Sequence, residues 1–248
     1  MPELSKRLKA LVSLAEKGNI AADIGCDHGY VSIWLVQNGI FSKVIAMDVK
    51  SGPLAAAEKN VRLYGVQNRV EIRQSDGLAG ILQGEADSIF CAGMGGALIC
   101  RILLNDMEKV KAMSQVILQP QSEIHLVRCF LREHDFVITG EDMVKEDGKY
   151  YPMFRAVHKK ADQPEYIQDT YDYYGMHLLK ERHPVLHEWL LHEQKVTLDI
   201  CDGLWKEINV RERDNGGLLD DPLLQRQKDR LKELQEKQKR IETALAYY

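Results

Sequence analysis

Short apolar runs alternate with amphipathic segments along the first 160 residues of the chain. Five of these runs have the length of buried strands, and they lie at 20–24, 44–47, 70–77, 86–93 and 114–120. The amphipathic segments between them, such as 51–65 and 123–134, predict helices. Two further runs, 135–144 and 149–159, flank a turn and predict a β-hairpin. The alternation therefore predicts an α/β fold with a mainly parallel, doubly wound sheet that ends in an antiparallel pair.

An amphipathic helix is predicted before the first strand, over residues 4–16. Its apolar positions share one face, and they are Leu4, Leu8, Leu11, Val12 and Ala15. Lys6, Arg7 and Lys9 lie off that face, and the plainest interpretation of them is a solvated surface. Because the helix directly precedes the first strand, the same cations can flank the ligand side of the sheet.

The apolar pattern changes after residue 160. The segment 159–169 has no apolar period and contains Pro164, which predicts a first domain of residues 1–160 and a second of residues 161–248. The second domain carries two helical patterns, with apolar residues at Leu186, Trp189, Leu190, Leu198, Leu204 and Ile208, and at Leu224, Leu231, Leu234, Ile241 and Leu245. With a glycine turn at 214–217 between them, the two patterns predict an antiparallel, coiled-coil-like helical hairpin.

Composition and charge narrow the classes of function. The 248 residues carry a formal net charge of −4, so no overall basic character marks a nucleic-acid binder, and an RNA-binding surface would have to be local. The five cysteines form no Cys-x-x-Cys pair, which fits a reducing cytoplasm and predicts neither disulfides nor a metal site. The sequence has no signal peptide and no apolar run of membrane-spanning length. It therefore predicts a cytoplasmic protein without a membrane partner.

A glycine-bearing turn follows the first strand, at 25–29, and an apolar helix follows the turn. Strand, turn and helix in this order form the first unit of a nucleotide-binding sheet. The pattern Gly-x-Gly-x-x-Gly is not satisfied, because Asp27 and Tyr30 stand where its second and third glycines would fall. Carboxylates of Asp23 and Asp27 flank the turn instead. They favour a ligand with a cationic or hydroxyl-rich part over a pyrophosphate.

Two more acids follow the next two predicted strands. Asp48 ends the second strand, where a carboxylate accepts hydrogen bonds from a ribose diol. Asp76 ends the third strand, and it is placed to bind the amino group of an adenine. Together with the turn, these acids indicate S-adenosylmethionine as the ligand. The alternative is that all are ordinary aspartates at strand ends, where this residue is common in turns.

Five motifs make the comparison more specific, and they are LSKRL (4–8), ADIGCDHGY (22–30), AGMGGALI (92–99), LQPQ (118–121) and EDGKYY (146–151). In this combination the chain resembles the TrmK family of bacterial tRNA adenine(22)-N1 methyltransferases. The resemblance covers residues 4–157 and implies a class I, Rossmann-like methyltransferase domain that uses S-adenosyl-L-methionine and acts on tRNA. The predicted cofactor-binding residues are Asp23, Gly25, Cys26, His28, Gly29, Asp48, Val49, Asp76, Gly77, Gly93 and Met94.

The segment after the fourth strand separates classes of methyl acceptor. The Asx-Pro-Pro-aromatic loop of exocyclic-amine methyltransferases is absent, and so is the Pro-Cys pair of pyrimidine C5 methylation. Cys91 lies near that position, but in an apolar strand it is better explained as a small buried hydrophobe. A purine ring nitrogen fits best. The glycines at 93, 95 and 96 either admit a flat base or form a plain turn between strand and helix.

Asp27 is the predicted catalytic residue. A carboxylate in this loop can accept the N6–H of adenine and offset the positive charge that develops on the base. The alternative is that Asp27 caps the following helix, a position that aspartate favours, and both roles can hold together. His28 is predicted as a structural or cofactor contact, because adenine N1 needs no base to remove a proton.

Two other functions stay open on the sequence alone. A nicotinamide-dependent oxidoreductase would share the ribose-binding acid, although the broken glycine fingerprint counts against it. A non-catalytic module that binds cofactor or RNA is the second alternative.

The charged residues of the predicted tail are best explained as a solvated helix surface, and a tRNA contact is the less favoured interpretation. The oligomeric state is left open, a monomer included.

Overall fold

The computed structural model of the protein describes residues 2–159, 169–214 and 221–248. It contains two compact units, Met1–Ile167 and Gln168–Tyr248. The predicted domain boundary at residue 161 and residues 215–217 of the predicted tail turn lie outside the described residues.

The first unit alternates strands and helices over its described residues. Its strands are β1 Gly18–Ile24, β2 Phe41–Asp48, β3 Val70–Gln74, β4 Ser88–Gly95, β5 Gln115–Ser122, β6 Phe136–Glu146 and β7 Lys149–His158. Its helices are α1 Lys6–Ser13, α2 Tyr30–Gln37, α3 Ser51–Leu63, α4 Gly96–Asn105, α5 Met107–Lys111 and α6 Ile124–Glu133.

The strands form one sheet in the order β3-β2-β1-β4-β5-β7-β6. All neighbours from β3 to β5 are parallel, whereas β7 is antiparallel to both β5 and β6. From β1 the chain first adds β2 and β3 on one side of the sheet and then adds β4 and β5 on the other side. The direction of the connections therefore changes between β1 and β4. Ligands in open α/β sheets bind at the carboxyl ends of the strands at such a point. The predicted Rossmann-like, mainly parallel sheet is confirmed.

Apolar residues cover both faces of the sheet. One cluster contains buried side chains of α1, α2 and α3, such as Leu11, Ile33 and Ala57. The other contains buried side chains of α4, α5 and α6, such as Ile99, Val110 and Leu131. Burial on both faces explains why the strand sequences are almost continuously apolar rather than alternating.

The predicted hairpin is formed by β6 and β7, and its turn is narrow. Asp147 (φ 48°) and Gly148 (φ 74°) both have left-handed backbone conformations. An Asp-Gly pair is favoured at the centre of such a two-residue turn, because its twist matches that of the flanking strands. The hairpin places Glu146 and Tyr151 beside α1, since Glu146 accepts a hydrogen bond from the backbone N–H of Arg7 at 3.3 Å.

The second unit is helical in its described residues. Its helices are α7 Asp169–Tyr174, α8 Met176–Lys180, α9 Pro184–Asp214 and α10 Pro222–Leu245. The ion pairs Lys237–Glu193 and Lys228–Glu212 join the two long helices in opposite chain directions. The predicted antiparallel hairpin is therefore confirmed. None of the helices in the described ranges is both long and apolar enough to cross a bilayer.

One packing position in α9 differs from the prediction. Leu198 belongs to the apolar pattern of this helix, but it is 46% exposed, whereas the neighbouring Thr197 is buried with 1% exposure. The reason is the helical period. Thr197 lies seven residues after the buried Leu190, and the seam of an antiparallel helix pair follows such heptad steps. At this position the heptad period decides burial, and hydrophobicity does not.

Candidate active site

A cavity of about 410 Å³ lies at the carboxyl ends of β1, β2 and β4. Eight of the predicted site residues line it, and they are Asp23, Gly25, Cys26, Asp27, His28, Asp48, Gly93 and Met94. The structure therefore brings the predicted catalytic residue and the ends of three strands together at one site.

The turn after β1 is held against β2 by its backbone. The N–H groups of Gly25 and Cys26 both donate to the carbonyl oxygen of Met47, at 2.8 and 2.9 Å. Gly25 has a φ of 69°, and a Cβ atom there would lie 2.2 Å from Cε of Met94. Glycine suits this position because it adopts the left-handed backbone angle without strain and leaves room for the end of the Met94 side chain. The turn is thus fixed between the ends of β2 and β4.

Asp23 is a buried acid that lines the cavity, with 6% exposure. Ser32 Oγ donates to its Oδ2 at 2.6 Å. Burial raises the pKa of Asp23 to about 6, the hydrogen bonds from Ser32 oppose this rise, and the charge of Asp48 adds to it. A carboxylate with this burial and few hydrogen bonds gains from a cationic ligand group.

Asp48 is the last residue of β2 and is half-buried. Its Oδ1 accepts a hydrogen bond from the backbone N–H of Lys50 at 2.9 Å, and its carbonyl oxygen accepts one from Ser75 N at 3.0 Å. These bonds fix the strand end and orient the carboxylate at the cavity wall. The geometry suits the predicted hydrogen bonds to ribose hydroxyls.

Asp27 and His28 lie at the mouth of the cavity. The Asp27 side chain is 72% exposed and lies 3.8 Å from Nε2 of His28. The His28 ring stacks against the ring of Tyr30 with centroids 5.7 Å apart. The helix cap of α2 is Gly29, with a φ of 72° and no side-chain hydrogen bond, so the alternative that Asp27 caps this helix is wrong. The exposed carboxylate is available to a substrate.

Four predicted cofactor residues are not among the lining residues of this cavity in the described chain, and they are Gly29, Val49, Asp76 and Gly77. Gly29 packs on α3, where a Cβ would lie 3.2 Å from Cβ of Ala57. Gly77 faces Ile102, whereas Val49 and Asp76 are exposed beyond the ends of β2 and β3. Their roles toward the cofactor stay predictions.

The two cysteines near the site are buried. Burial raises the pKa of the Cys26 thiol well above its usual range and that of Cys91 to about 12. The Cys91 sulfur lies 3.6 Å from the sulfur of Met94. Both thiols therefore remain protonated at neutral pH. This agrees with the interpretation of Cys91 as a small buried hydrophobe rather than a nucleophile.

Several lining residues were not predicted, and they are Arg7, Leu8, Leu11, Tyr30, Val31, Ala92 and Gln121. Arg7 is the most informative, because its Nη1 donates to Oε1 of Gln119 at 2.5 Å and its guanidinium lies 5.3 Å from the ring centroid of Tyr151. Five of the seven lie in the motifs quoted above, all except Leu11 and Val31. The position of α1 before β1 indicated that its cations can flank the ligand side, but it did not assign Arg7 to the cavity.

Metal binding finds no support in the described residues, where no group of three or more His, Cys, Asp or Glu side chains is placed to hold an ion.

Comparisons with known proteins identify the family of the chain. A family model described as a methyltransferase domain matches residues 4–154. The tRNA (adenine(22)-N(1))-methyltransferase of Bacillus subtilis is 38% identical over 154 residues, which cover 62% of this chain and 65% of that protein. The chain thus aligns with slightly less than two thirds of this relative's length.

Two crystal structures match over nearly the whole chain. The Bacillus subtilis tRNA methyltransferase TrmK is 29% identical with a TM-score of 0.81, and the match covers 98% of this chain and 99% of that one. A putative tRNA methyltransferase of Streptococcus pneumoniae, in complex with S-adenosyl-L-methionine, is 27% identical with a TM-score of 0.79 and coverages of 98% and 100%. The chain therefore belongs to the methyltransferase-domain family, and it is similar to the Bacillus subtilis TrmK structure over nearly its whole length.

Proposed function

We propose that the chain transfers a methyl group from S-adenosyl-L-methionine to N1 of an adenine in tRNA, at position 22 as in the name of the Bacillus subtilis relative. The observation that carries this proposal is that the carboxylates of Asp23 and Asp48 line the same cavity as the Gly93–Met94 segment. The family membership and the relatives support the same reaction.

The lining residues fit S-adenosyl-L-methionine as the cofactor. When bound, it supplies a methyl group on a positively charged sulfonium. Asp48 would hold the ribose hydroxyls, and the buried charge of Asp23 would face the cationic groups. The cavity volume of about 410 Å³ suits a ligand of this size, because small-molecule sites commonly measure about 300–1,000 Å³.

Asp27 acts on the target base in this proposal. Adenine N1 has an in-plane lone pair, so no residue of the chain has to remove a proton before the transfer. The Asp27 carboxylate would accept a hydrogen bond from the N6 amino group and so orient the ring. Its negative charge also stabilises the cation that the base becomes, an effect that is stronger in the transition state than in the ground state.

The Gly93 backbone lines the same cavity as Asp27. Gly93 is exposed and has a φ of 77°, and a Cβ atom there would lie 3.6 Å from Nε2 of Gln121. Without a side chain at this point, a flat base can lie against the peptide backbone. The target adenine would have to leave its stack in the RNA to enter, as enzymes that act on bases generally require.

The helical unit is assigned to tRNA binding in this proposal, with the domain boundary near residue 161. The predicted cofactor residues all lie in the first unit, and tRNA is far larger than the cavity. Exposed cations of α10, such as Arg226 and Lys232, are the candidates for phosphate contacts. Arg226→Glu and Lys232→Glu should each raise the KM for tRNA by about a few-fold and leave cofactor affinity unchanged.

Since tRNA is a cytoplasmic substrate, we propose that the enzyme acts in the cytoplasm.

The proposed reaction is tested with unmodified tRNA transcripts and methyl-labelled S-adenosyl-L-methionine. Label should enter a transcript with adenine at position 22 and not the same transcript with guanine at that position. Equal labelling of both transcripts would place the target elsewhere in the RNA, and the absence of label from both would contradict the activity.

The two alternatives are separated by binding measurements. Calorimetric titration with S-adenosyl-L-methionine and with NAD should give heat only with the first. Binding of NAD alone would favour the oxidoreductase. Tight cofactor binding without any methyl transfer to bulk tRNA would favour the non-catalytic module.

A further inference from the structure

The carboxyl ends of β4 and β5 do not pair regularly. Ala92 pairs with Gln119, but the next two pairs are Met94 with Pro120 and Gly95 with Ser122. One residue of each strand is therefore left out of the register, Gly93 on β4 and Gln121 on β5. Both of them line the cavity. Such irregularities commonly re-aim side chains next to active sites, so they mark these two residues as candidates for ligand contact.

The irregular segment is fixed by the residues around it. Pro120 has no N–H to donate to a neighbouring strand, and proline inside a sheet is typically found at bulges. Beyond the bulges the two chains close again, since a Cβ atom at Gly96 would lie 2.7 Å from the carbonyl oxygen of Glu123. The Glu123 side chain also accepts a hydrogen bond from the N–H of Ala97 at 3.1 Å, at the start of α4. Gly93 and Gln121 are thus held in place at the cavity.

The glutamines of β5 differ in their surroundings. Gln115 and Gln119 are buried, and their amide oxygens accept hydrogen bonds from Glu16 N and from the Arg7 guanidinium. Gln121 is exposed, and its side-chain amide has no hydrogen-bond partner among the described residues. Its donor and its acceptor are therefore both available to a ligand in the cavity.

The amide of Gln121 lies close to the bare backbone of Gly93. A Cβ atom at Gly93 would lie 3.6 Å from Nε2 of Gln121. A base that lies against the Gly93 backbone therefore brings one of its edges within reach of this amide. A glutamine amide presents an acceptor beside a donor, and adenine presents the matching pair, the N6 amino group beside N7.

We propose that Gln121 recognises the target adenine, its Oε1 accepting from N6–H and its Nε2 donating to N7. This inference rests on the proposed function, since it presupposes adenine as the acceptor. The N6 amino group has two hydrogens, so the one on the N1 side is left for Asp27. The N7 edge lies away from N1, and the contact does not obstruct methyl transfer.

The same contact discriminates against guanine. Guanine carries the acceptor O6 where adenine has its amino group. In the same orientation O6 would meet the amide oxygen of Gln121 and the carboxylate of Asp27, two acceptors that cannot donate to it. Gln121 is thus a specificity-determining residue of the proposed reaction.

The test removes the two proposed partners separately, one from the protein and one from the RNA. Transcripts are assembled by ligation with adenine or 7-deazaadenine at position 22, the target position in the name of the Bacillus subtilis relative. The analogue replaces N7 by C–H and keeps N1 and N6. Single-turnover methylation is then measured at saturating S-adenosyl-L-methionine with wild-type protein and Gln121→Met.

Wild-type protein should methylate the 7-deazaadenine transcript about 10-fold more slowly than the adenine transcript, because the contact to N7 is missing. Gln121→Met should lower the rate with the adenine transcript by roughly 10- to 100-fold, since it removes a bidentate contact. The factor lost should be at least about threefold smaller with the 7-deazaadenine transcript, where part of the contact is already absent. Calorimetry should give Gln121→Met the wild-type affinity for S-adenosyl-L-methionine.

Gln67→Met is the matched control. Gln67 is exposed in the segment before β3 and does not line the cavity, so the same change of side chain should leave both rates unchanged. If Gln121→Met does not fold, Gln121→Glu takes its place. Glutamate keeps an acceptor for N6–H but has no donor for N7, and this variant should methylate the two transcripts at rates within about threefold of each other.

Four results would overturn the inference. Equal wild-type rates with both transcripts would mean that N7 is not read. An equal factor lost on both transcripts would make Gln121 a support of the strand geometry, and weakened cofactor affinity would place it in the cofactor site. Unchanged rates of Gln121→Met would leave it no role. Failure of wild-type protein to methylate the adenine transcript contradicts the proposed function itself and is distinguishable from all of these.

Discussion

The two sides of the cavity are built in different ways. The acid side consists of Asp23, Asp27 and Asp48, which lie on β1, β2 and the turn between β1 and α2. The donor side consists of Arg7, Gly93 and Gln121, which come from α1, β4 and β5. The acid side is set by local chain order, because adjacent parallel strands end at one edge. The donor side exists only after α1 has packed on the sheet.

The acid side is itself divided by exposure. The carboxylate of Asp23 is buried and bonded to Ser32, whereas the side chain of Asp27 is 72% exposed at the cavity mouth. A buried acid holds a ligand charge in a fixed place, and an exposed acid can meet a substrate that enters from solvent. On this difference in exposure we propose that Asp23 serves the cofactor and Asp27 the base, and substitutions of the two residues can test it.

The largest effect is expected for Asp27→Asn. The single-turnover rate of methylation should fall by about 10²–10³, the usual cost of losing one electrostatic contact in the transition state. Cofactor affinity should stay nearly unchanged. Asparagine tolerates the left-handed backbone at this position (φ 49°), so the loop keeps its shape.

Asp147→Asn is the matched control for this experiment. Asp147 has a similar backbone angle (φ 48°) and is exposed in the turn between β6 and β7. It should methylate tRNA at the wild-type rate. A near-normal rate for Asp27→Asn would remove Asp27 from the chemistry.

The next effect is expected at Asp48. Asp48→Ala should weaken binding of S-adenosyl-L-methionine by about tens of fold, because it removes charge-assisted hydrogen bonds to the ribose. Asp76→Ala should weaken binding less, since the side chain of Asp76 is exposed and outside the cavity lining. Calorimetric titration of both variants measures the difference. A larger loss for Asp76→Ala would contradict the assignment of the ribose to Asp48.

Asp23 should make cofactor binding depend on pH. Its pKa is raised to about 6 in the folded protein, so below that pH the carboxyl becomes neutral and no longer attracts a cation. Affinity for S-adenosyl-L-methionine should therefore fall by about tenfold between pH 7 and pH 5. Asp23→Asn should bind weakly at both values. A wild-type affinity that does not change with pH would exclude a role for the ionised form.

The contribution of Asp23 to protein stability should change with pH in the opposite direction to cofactor affinity. The folded protein binds this proton more tightly than the unfolded chain, whose aspartate has a pKa near 3.8. The contribution of Asp23 to the free energy of unfolding therefore decreases as the pH rises from about 4 to about 6. Urea unfolding of wild type and Asp23→Asn at both ends of this interval checks the sign.

The smallest expected effect is the difference in the free energy of unfolding between Gly25→Ala and Gly84→Ala. Both glycines have left-handed angles, φ 69° and 74°, so both variants carry a backbone cost of about 1–2 kcal/mol. A Cβ at Gly84 meets nothing within 4 Å, whereas one at Gly25 collides with Met94. Gly25→Ala should lose about 1 kcal/mol more in the free energy of unfolding. Equal losses in urea unfolding would mean that Met94 moves freely.

The sequence predicted the acid side because its residues follow their strands directly. Asp48 and Gly25 could be located from spacing alone, since a parallel sheet brings successive strand ends together. Arg7 could not be assigned, because its hydrogen bond to Gln119 joins residues 112 positions apart and depends on how α1 packs. The cap of α2 was also missed. Gly29 holds that position through its backbone angle, and no side-chain pattern records it.

The contrast between local chain order and long-range packing also explains which parts of the fold could be predicted. Strands buried on both faces are visible as apolar runs, so the order of elements could be predicted. The burial of individual residues in α9, such as Leu198, could not be predicted, because a long amphipathic helix offers adjacent apolar and polar residues and its partner decides which is buried. The heptad step from Leu190 to Thr197 shows that the period of the seam outweighed hydrophobicity at this position.

The most direct test of the central claim is reverse transcription of a tRNA transcript after incubation with the enzyme and S-adenosyl-L-methionine. A methyl group on adenine N1 blocks the pairing edge of the base, so cDNA synthesis should stop next to position 22. The stop should require the cofactor and should weaken strongly with Asp27→Asn. Full-length cDNA from a transcript that has nevertheless taken up methyl label would contradict transfer to N1 of this adenine.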